Sequence, residues 1–195
     1  MAVQDGSNGA RARDRILESA YELFSHHGVR AIGIDAIIKH CGVARMTLYR
    51  NFASKDDLVL AFLKERGARW TIGWLEAEVQ KRSDEPRQQL LDVFDVFGEW
   101  FERSDFEGCS FINVMLEFAD AENPLFQASV GHLAGIRRFL SGLAKAAGIR
   151  HPEDFARKWH ILMKGAIVAA REGDRNAAAR AREIAQLLLR SSQDD

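Results

Sequence analysis

The 195-residue sequence contains few of the residues that mark several classes of protein. Its 2 cysteines, Cys41 and Cys109, lie far apart and fit neither a disulfide scaffold nor a metal-ligand spacing. Only 3 prolines and 2 tyrosines occur, while alanine, leucine, arginine and glutamate dominate, which favours an all-helical fold. No apolar run is long enough to span a bilayer, and the first ten residues lack the apolar core of a signal peptide. We therefore expect a cytoplasmic protein without a membrane partner.

The sequence also lacks a strong net charge, because 27 Lys and Arg stand against 28 Asp and Glu. The charge is unevenly distributed, however. Residues 1–70 carry 11 basic and 8 acidic side chains, a net of +3, and the remainder carries a net of −4. A modestly basic N-terminal part fits contact with phosphate, although an excess of this size is also ordinary scatter.

Apolar periodicity predicts a series of helices after a disordered segment at residues 1–9. A first helix over 11–27 is ended by Gly28, and Ser54 is placed to cap a fourth helix that runs on past Trp70 and Trp74. Later helices are predicted from about 90–101, 125–147, 152–172 and 176–190. The sequence therefore predicts an all-α fold in two parts. An N-terminal three-helix helix-turn-helix domain, 10–68, is followed by a helical-bundle ligand-binding and dimerisation domain, 69–195.

Within the stretch CGVARMTLYRNF, residues 44–52 are predicted to form a short helix that is rich in exposed hydrogen-bond donors. A first short helix over 33–41 precedes it, and a turn at Gly42 joins the two, which is the pattern of a DNA-reading helix-turn-helix. Arg45 is suited to bind a guanine edge through two hydrogen bonds, and Met46 to contact a thymine methyl group. Neighbouring side chains offer donors to phosphate oxygens. The predicted DNA-binding residues are Arg45, Met46, Thr47, Tyr49, Arg50, Asn51 and Lys55.

The stretch GVARMTLYRNFASKDDL, with IDAI upstream and LFSHHGVRAIGI at the end of the first helix, resembles the N-terminal domain of TetR/AcrR-family bacterial transcriptional regulators. The resemblance covers about the first third of the chain. It implies base contacts for Arg45, Met46 and Tyr49. It implies phosphate contacts for Thr47, Asn51 and Lys55.

Three residues depart from the family pattern. Gly33 stands where a threonine often starts the second helix, Ala44 replaces a frequent capping serine, and Ile38 replaces a common small alanine. None of these changes removes the donors of the second short helix. The resemblance further implies a ligand-relieved repressor that binds a pseudo-palindromic operator in double-stranded DNA as a homodimer through its last two helices. The sequence itself does not fix whether the protein represses or activates.

Aromatic and polar side chains of the C-terminal part predict a pocket for a small apolar or aromatic ligand. The alternative interpretation of the same residues is that they form the core of the bundle. The predicted ligand-binding residues are Phe97, Trp100, Phe111, Asn113, Met115, Phe118 and Trp159.

Other classes of function find less support in the sequence. No motif orients a base towards Cys109, so we predict no enzyme activity and no cofactor. An oxidant-sensing role for Cys41 and a helical interaction module without DNA binding stay as alternatives. The presence of Arg45, Tyr49 and Lys55 argues against the second. A metal site is not predicted, because no ligand signature fits the spacing of Glu117, His132, His151 and His160.

Overall fold

In the computed structural model, every element over the described residues is helical, which confirms the predicted fold class. The backbone is described over residues 3–192 and the side chains over residues 10–192. A π-helical segment, Gly67–Glu76, follows the fourth helix directly. The α-helices are α1 (Val3–His27), α2 (Ile34–Cys41), α3 (Arg45–Asn51), α4 (Lys55–Arg66), α5 (Ala77–Arg82), α6 (Pro86–Phe101), α7 (Ser110–Glu117), α8 (Pro124–Ala146), α9 (Pro152–Arg171) and α10 (Ala177–Ser191).

The N-terminal segment predicted to be disordered is described only in part. Residues 1–2 lie outside the described residues, and over 3–9 the backbone continues α1 as a helix in place of the predicted disorder. Residues 3–9 contain no proline, so every backbone N–H of this stretch is available to a helix. At the other end, Gly28 adopts φ +80° and ends α1 where the sequence predicted.

The π-helical segment differs from the regular helix predicted to run past Trp70 and Trp74. A Cβ atom at Gly73 would lie 2.8 Å from the carbonyl oxygen of Ala68. The close approach of backbone to backbone therefore requires glycine at this position. Sequence periodicity of about 3.6 residues does not register a local widening of the turn, which is why the prediction missed it.

The chain divides into two compact units. Unit 1 combines residues 1–67 with 110–130, and unit 2 combines residues 68–109 with 131–195. The segment 110–130, which contains α7, thus packs with the N-terminal helices, whereas the sequence assigned it to the second domain. The functional boundary at 68/69 stays a prediction.

The core of unit 1 is formed where α1 packs against α2, α3 and α4. The ring of Phe62 lies edge-on to those of Tyr21 and Phe24, each at 5.5 Å between centroids. The other core side chains of this unit include Ile16, Ala20, Ile37, Leu48, Phe52 and Leu58, all buried. This packing fixes the orientation of the short helix α3, which is too short to be stable alone.

The core of unit 2 is formed by α6, α9 and α10. Trp159 of α9 is fully buried, stacks on Phe155 at 5.1 Å between centroids and contacts Phe94 of α6 at 5.5 Å. Trp70 and Trp100 add a second aromatic contact at 4.9 Å. Among the helices that the structure describes, none has the length and apolar character needed to cross a membrane.

Candidate nucleic-acid interface

The turn between α2 and α3 is built on Gly42, which adopts the left-handed conformation (φ 65°, ψ 30°) and donates its N–H to the carbonyl of Ile38 at 2.9 Å. Neither Gly33 nor Ala44, the residues that precede α2 and α3, provides a side-chain cap. Both departures from the family pattern therefore leave the helix starts uncapped by side chains. The two helices are held by packing on α1 instead.

Helix α3 has one buried face and one exposed face. Leu48 is fully buried and Phe52, which follows the helix, is nearly so. Met46 and Tyr49 are exposed by 67% and 41%. Arg45, Arg50 and these two residues have the spacing of a single helix face, so the structure brings four of the predicted DNA-binding residues to one exposed surface.

Arg45 forms an exposed ion pair with Asp35 of the first turn of α2. The acidic side chain offsets the unfavourable position of a cation at the N-terminus of α3. Exposed pairs of this kind are worth only about 0–1 kcal/mol. Arg45 can therefore exchange Asp35 for a base edge with little loss of stability.

Two of the residues predicted to contact phosphate already have partners inside the protein. Asn51 donates its side-chain amide to the backbone carbonyl of Thr47 at 2.8 Å. Lys55 donates its ammonium group to the carbonyl of Val29 at 2.6 Å. Burial lowers the pKa of Lys55, and the carboxylates of Glu117 and Asp56 oppose this shift. The structure therefore assigns Asn51 and Lys55 structural contacts, which a phosphate would have to replace or share.

Glu117 of α7 anchors the turn between α1 and α2. Its carboxylate accepts hydrogen bonds from the backbone N–H groups of Arg30 (2.8 Å) and Val29 (3.3 Å). Gly28 adopts φ +80°, which favours glycine, and a Cβ atom there would lie 2.6 Å from the same carboxylate and displace it. The guanidinium of Arg30 lies over the ring of Phe118, at 5.2 Å from its centroid.

This contact joins residues separated by more than 80 positions, and no local pattern in the sequence pointed to it. From the sequence, Glu117 was considered as a metal ligand, and that role was not predicted because its spacing fits no ligand signature. Among the described residues, no group of three or more His, Cys, Asp or Glu side chains is placed to hold a metal ion. Cys41 and Cys109 are both buried thiols.

The seven predicted ligand-binding residues are divided between the two units. Phe97, Trp100 and Trp159 are buried in unit 2, and Phe111 is buried in unit 1. The other three, all in unit 1, are Asn113, which is exposed, and Met115 and Phe118, which are half-buried. The cavities described in the structure are lined by other residues. The apolar pocket therefore stays a prediction.

His160 of α9 is buried in unit 2, and its Nδ1 atom has no hydrogen-bond partner among the described residues. Burial, with the nearby charges of Lys164 and Arg137, lowers the pKa of His160 to about 3. The unfolded chain takes up this proton near pH 6.5, so stability is complete above that pH and falls as the pH drops towards 3. Between pH 7.5 and 5 we expect a loss of about 2 kcal/mol in the free energy of unfolding.

Urea denaturation at the two pH values measures this loss, with His160→Leu as the test variant. We expect His160→Leu to flatten the pH dependence, because the leucine cannot take up a proton in either state. His151→Gln, at an exposed position, provides the matched control. An unchanged pH dependence in His160→Leu would show that other groups produce the loss.

Three comparisons place this geometry among known proteins. The sequence model of bacterial regulatory proteins of the tetR family matches residues 16–62, which include α2 and α3. The transcriptional regulator UidR of Escherichia coli (strain K12) is 41% identical over 51 residues, 26% of this chain and 26% of UidR. The transcriptional activator FasR of Mycolicibacterium smegmatis is 31% identical over 90 residues, 46% of this chain and 40% of FasR. These curated relatives are thus matched over less than half of their own length.

The likeness of the whole chain is structural. The TetR-family transcriptional regulator SCO4454 from Streptomyces coelicolor superposes with a TM-score of 0.83 at 27% identity, over 94% of this chain and 96% of that chain. The sequence match lies on the helix-turn-helix, and the structural match extends through both units. The chain thus carries the helix-turn-helix sequence of the tetR family within residues 16–62, and its fold is that of a TetR-family regulator.

Proposed function

We propose that this chain is a sequence-specific DNA-binding transcriptional regulator. The observation that carries the proposal is the exposed face of α3, on which Arg45, Met46, Tyr49 and Arg50 lie together above a buried anchor, Leu48. A helix presented in this way fits the major groove, where base edges carry a distinct pattern of donors and acceptors. Because the partner would be the chromosome of the cell, we place the protein in the cytoplasm.

A homodimer through α9 and α10 is part of the same proposal. Large apolar side chains are exposed along these helices: Ile161 and Val168 on α9, and Ile184 and Leu187 on α10. The small residues Ala166 and Ala181 of the same two helices are buried within the chain. A two-fold dimer would read a pseudo-palindrome with half-sites about 34 Å apart, one helical turn of DNA.

We further propose that a small ligand relieves repression by favouring a separation of the two α3 helices that does not match the operator. A ligand acts in this way only if it binds the two states with different free energies, typically by about 1–3 kcal/mol. One relative is named an activator. A promoter–reporter assay with and without the chain distinguishes the two signs, since a repressor lowers expression and an activator raises it.

Arg45→Ala tests the DNA-reading role. We expect this change to weaken binding to the specific operator by about 1–3 kcal/mol and to relax base preference at one position, because the two hydrogen bonds to guanine are lost. Fluorescence anisotropy with DNA from upstream of the gene and with a scrambled duplex measures both effects. Binding to the scrambled duplex is expected to change much less.

Lys64→Ala is the matched control, because it also removes one exposed positive charge from unit 1 but lies at the far end of α4. It is expected to leave operator preference intact. If Arg45→Ala lowered the affinity for both duplexes equally, Arg45 would act through phosphate rather than through a base. If the wild-type chain bound neither duplex, an interaction module without DNA binding would become the better interpretation.

A further inference from the structure

A cavity between α8 and α9 of unit 2 is lined mainly by arginine. Its volume is about 270 Å³, just below the usual range for ligand sites. The residues from α8 have the spacing of a single helix face, and those from α9 lie one turn apart. The lining residues are Ala134, Arg137, Arg138 and Ser141 of α8, with Glu153 and Arg157 of α9.

The three guanidinium groups of this cavity have no ion-pair partner among the side chains that the structure describes, although Glu153 lies in the same wall. The carboxylate of Asp154, one residue further along α9, is paired with Lys158 at 2.7 Å. This pairing, with a smaller contribution from the charge of Arg157, lowers the pKa of Asp154. The cavity wall therefore carries three positive charges against one negative charge.

One further cation, Lys164, adds to the positive potential beside the cavity, while His160 with its lowered pKa is neutral near pH 7. Arg137 is half-buried, and burial together with the charges of Arg157 and Arg138 lowers its pKa. Lys164 and His160 are close enough to Arg137 for its charge to lower the pKa of each. Arg138 and Arg157 are exposed, so solvent weakens their repulsion, and the half-buried Arg137 gains most when a counter-charge enters the concave wall.

We propose that this cavity binds a small organic oxyanion, a carboxylate or a phosphate ester, through Arg137 and Arg157. Guanidinium groups match carboxylate and phosphate oxygens through paired hydrogen bonds, and Ser141 adds a hydroxyl donor. The volume admits a molecule of a few heavy atoms beyond the anionic group. The anion site is a separate proposal from the regulatory function, because anion binding is measured in the absence of DNA and does not depend on DNA binding.

The experiment uses the purified full chain with inorganic phosphate and with benzoate as probes, against chloride at equal ionic strength. Thermal unfolding gives the stabilisation, and isothermal titration calorimetry gives the dissociation constant. We expect at least one probe to raise the melting temperature above the chloride value. Stabilisation by phosphate alone would assign a phosphate ester, and stabilisation by benzoate alone would assign a carboxylate.

Four single substitutions separate a built site from a general ion effect. Arg137→Gln and Arg157→Gln are expected to weaken binding of the stabilising probe about tenfold to a hundredfold, because each loses a charge-assisted pair of hydrogen bonds. Glu153→Gln is expected to strengthen binding severalfold, because it removes the one negative charge of the wall. Lys145→Gln, exposed on α8 and outside the cavity, is expected to leave it unchanged.

The melting temperature of the Arg137→Gln protein shows whether this variant folds. In chloride alone it is expected to melt at or above the wild-type temperature, because mutual repulsion of the guanidinium groups is reduced. The proposal is overturned if neither probe stabilises more than chloride. It is also overturned if the folded Arg137→Gln and Arg157→Gln proteins bind the probe as the wild type does.

Discussion

Ile161→Glu is expected to give a monomeric chain whose affinity for the operator is lower by about a hundredfold or more. Ile161 lies on α9 with 67% of its side chain exposed, on the surface that we propose joins two copies of the chain. A glutamate there would bring an unpaired charge into an apolar interface, where desolvation opposes association. In a dimer, binding at one half-site raises the effective concentration of the other subunit at the second half-site. A monomer lacks this effect, which lowers its affinity for the operator by a factor of about 10²–10⁴.

Ile72→Glu is a closely matched control for this prediction. Ile72 is exposed by 66%, carries the same side chain and lies in the π-helical segment rather than on α9 or α10. Light scattering coupled to size exclusion gives the mass, and fluorescence anisotropy gives the operator affinity. We expect Ile72→Glu to keep both wild-type values. A dimeric Ile161→Glu that still binds the operator would place the interface elsewhere.

The sequence predicted the helices closely because their ends are marked locally. Gly28, Gly42 and Gly148 all adopt the left-handed backbone that ends a helix, and Ser54 accepts the backbone N–H of Asp57 at 3.0 Å as a cap. Apolar periodicity supplied the lengths between these signals. Each of these features depends on residues within about one turn of each other, which is why a single sequence was sufficient to predict the helices.

Contacts between distant segments were not predictable in this way. Glu117 closes the turn at Val29 and Arg30, and Lys55 reaches the carbonyl of the same Val29, so one short turn is held by α7 and by α4. The phosphate contact of Lys55 stays a prediction, but the sequence gave no sign of its contact with Val29, because a lone sequence shows which donors exist but not which acceptors the fold brings to them.

The residues of the candidate nucleic-acid interface show the same limit, because the sequence did not reveal their contacts with other helices. The family resemblance implied base contacts for Arg45, Met46 and Tyr49, and the structure has Met46 and Tyr49 exposed. Spacing gave no sign that Asp35 would pair with Arg45, because that pair depends on the angle between α2 and α3. In the same way, the arginine-lined cavity depends on the packing of α8 and α9, which no single helix encodes.

Leu48→Ala is expected to destabilise unit 1 by about 2–5 kcal/mol, the usual range for truncating a buried leucine. Leu48 is fully buried and is the one buried side chain within the seven residues of α3. A helix of this length is not stable in isolation, so its position depends on that contact with the core. Truncating Leu48 would leave a cavity beneath the exposed face of α3 without changing any exposed residue.

Met46→Ala, two positions earlier on the same helix, separates folding from recognition. Met46 is 67% exposed, so its truncation is expected to change the free energy of unfolding by less than about 0.5 kcal/mol. It is expected instead to weaken binding to an operator that presents a thymine methyl group to it. We therefore expect opposite patterns from the two variants. Urea denaturation detects the loss of stability in Leu48→Ala, and fluorescence anisotropy detects the loss of operator affinity in Met46→Ala. Equal destabilisation by the two changes would contradict the division of α3 into a buried anchor and an exposed reading face.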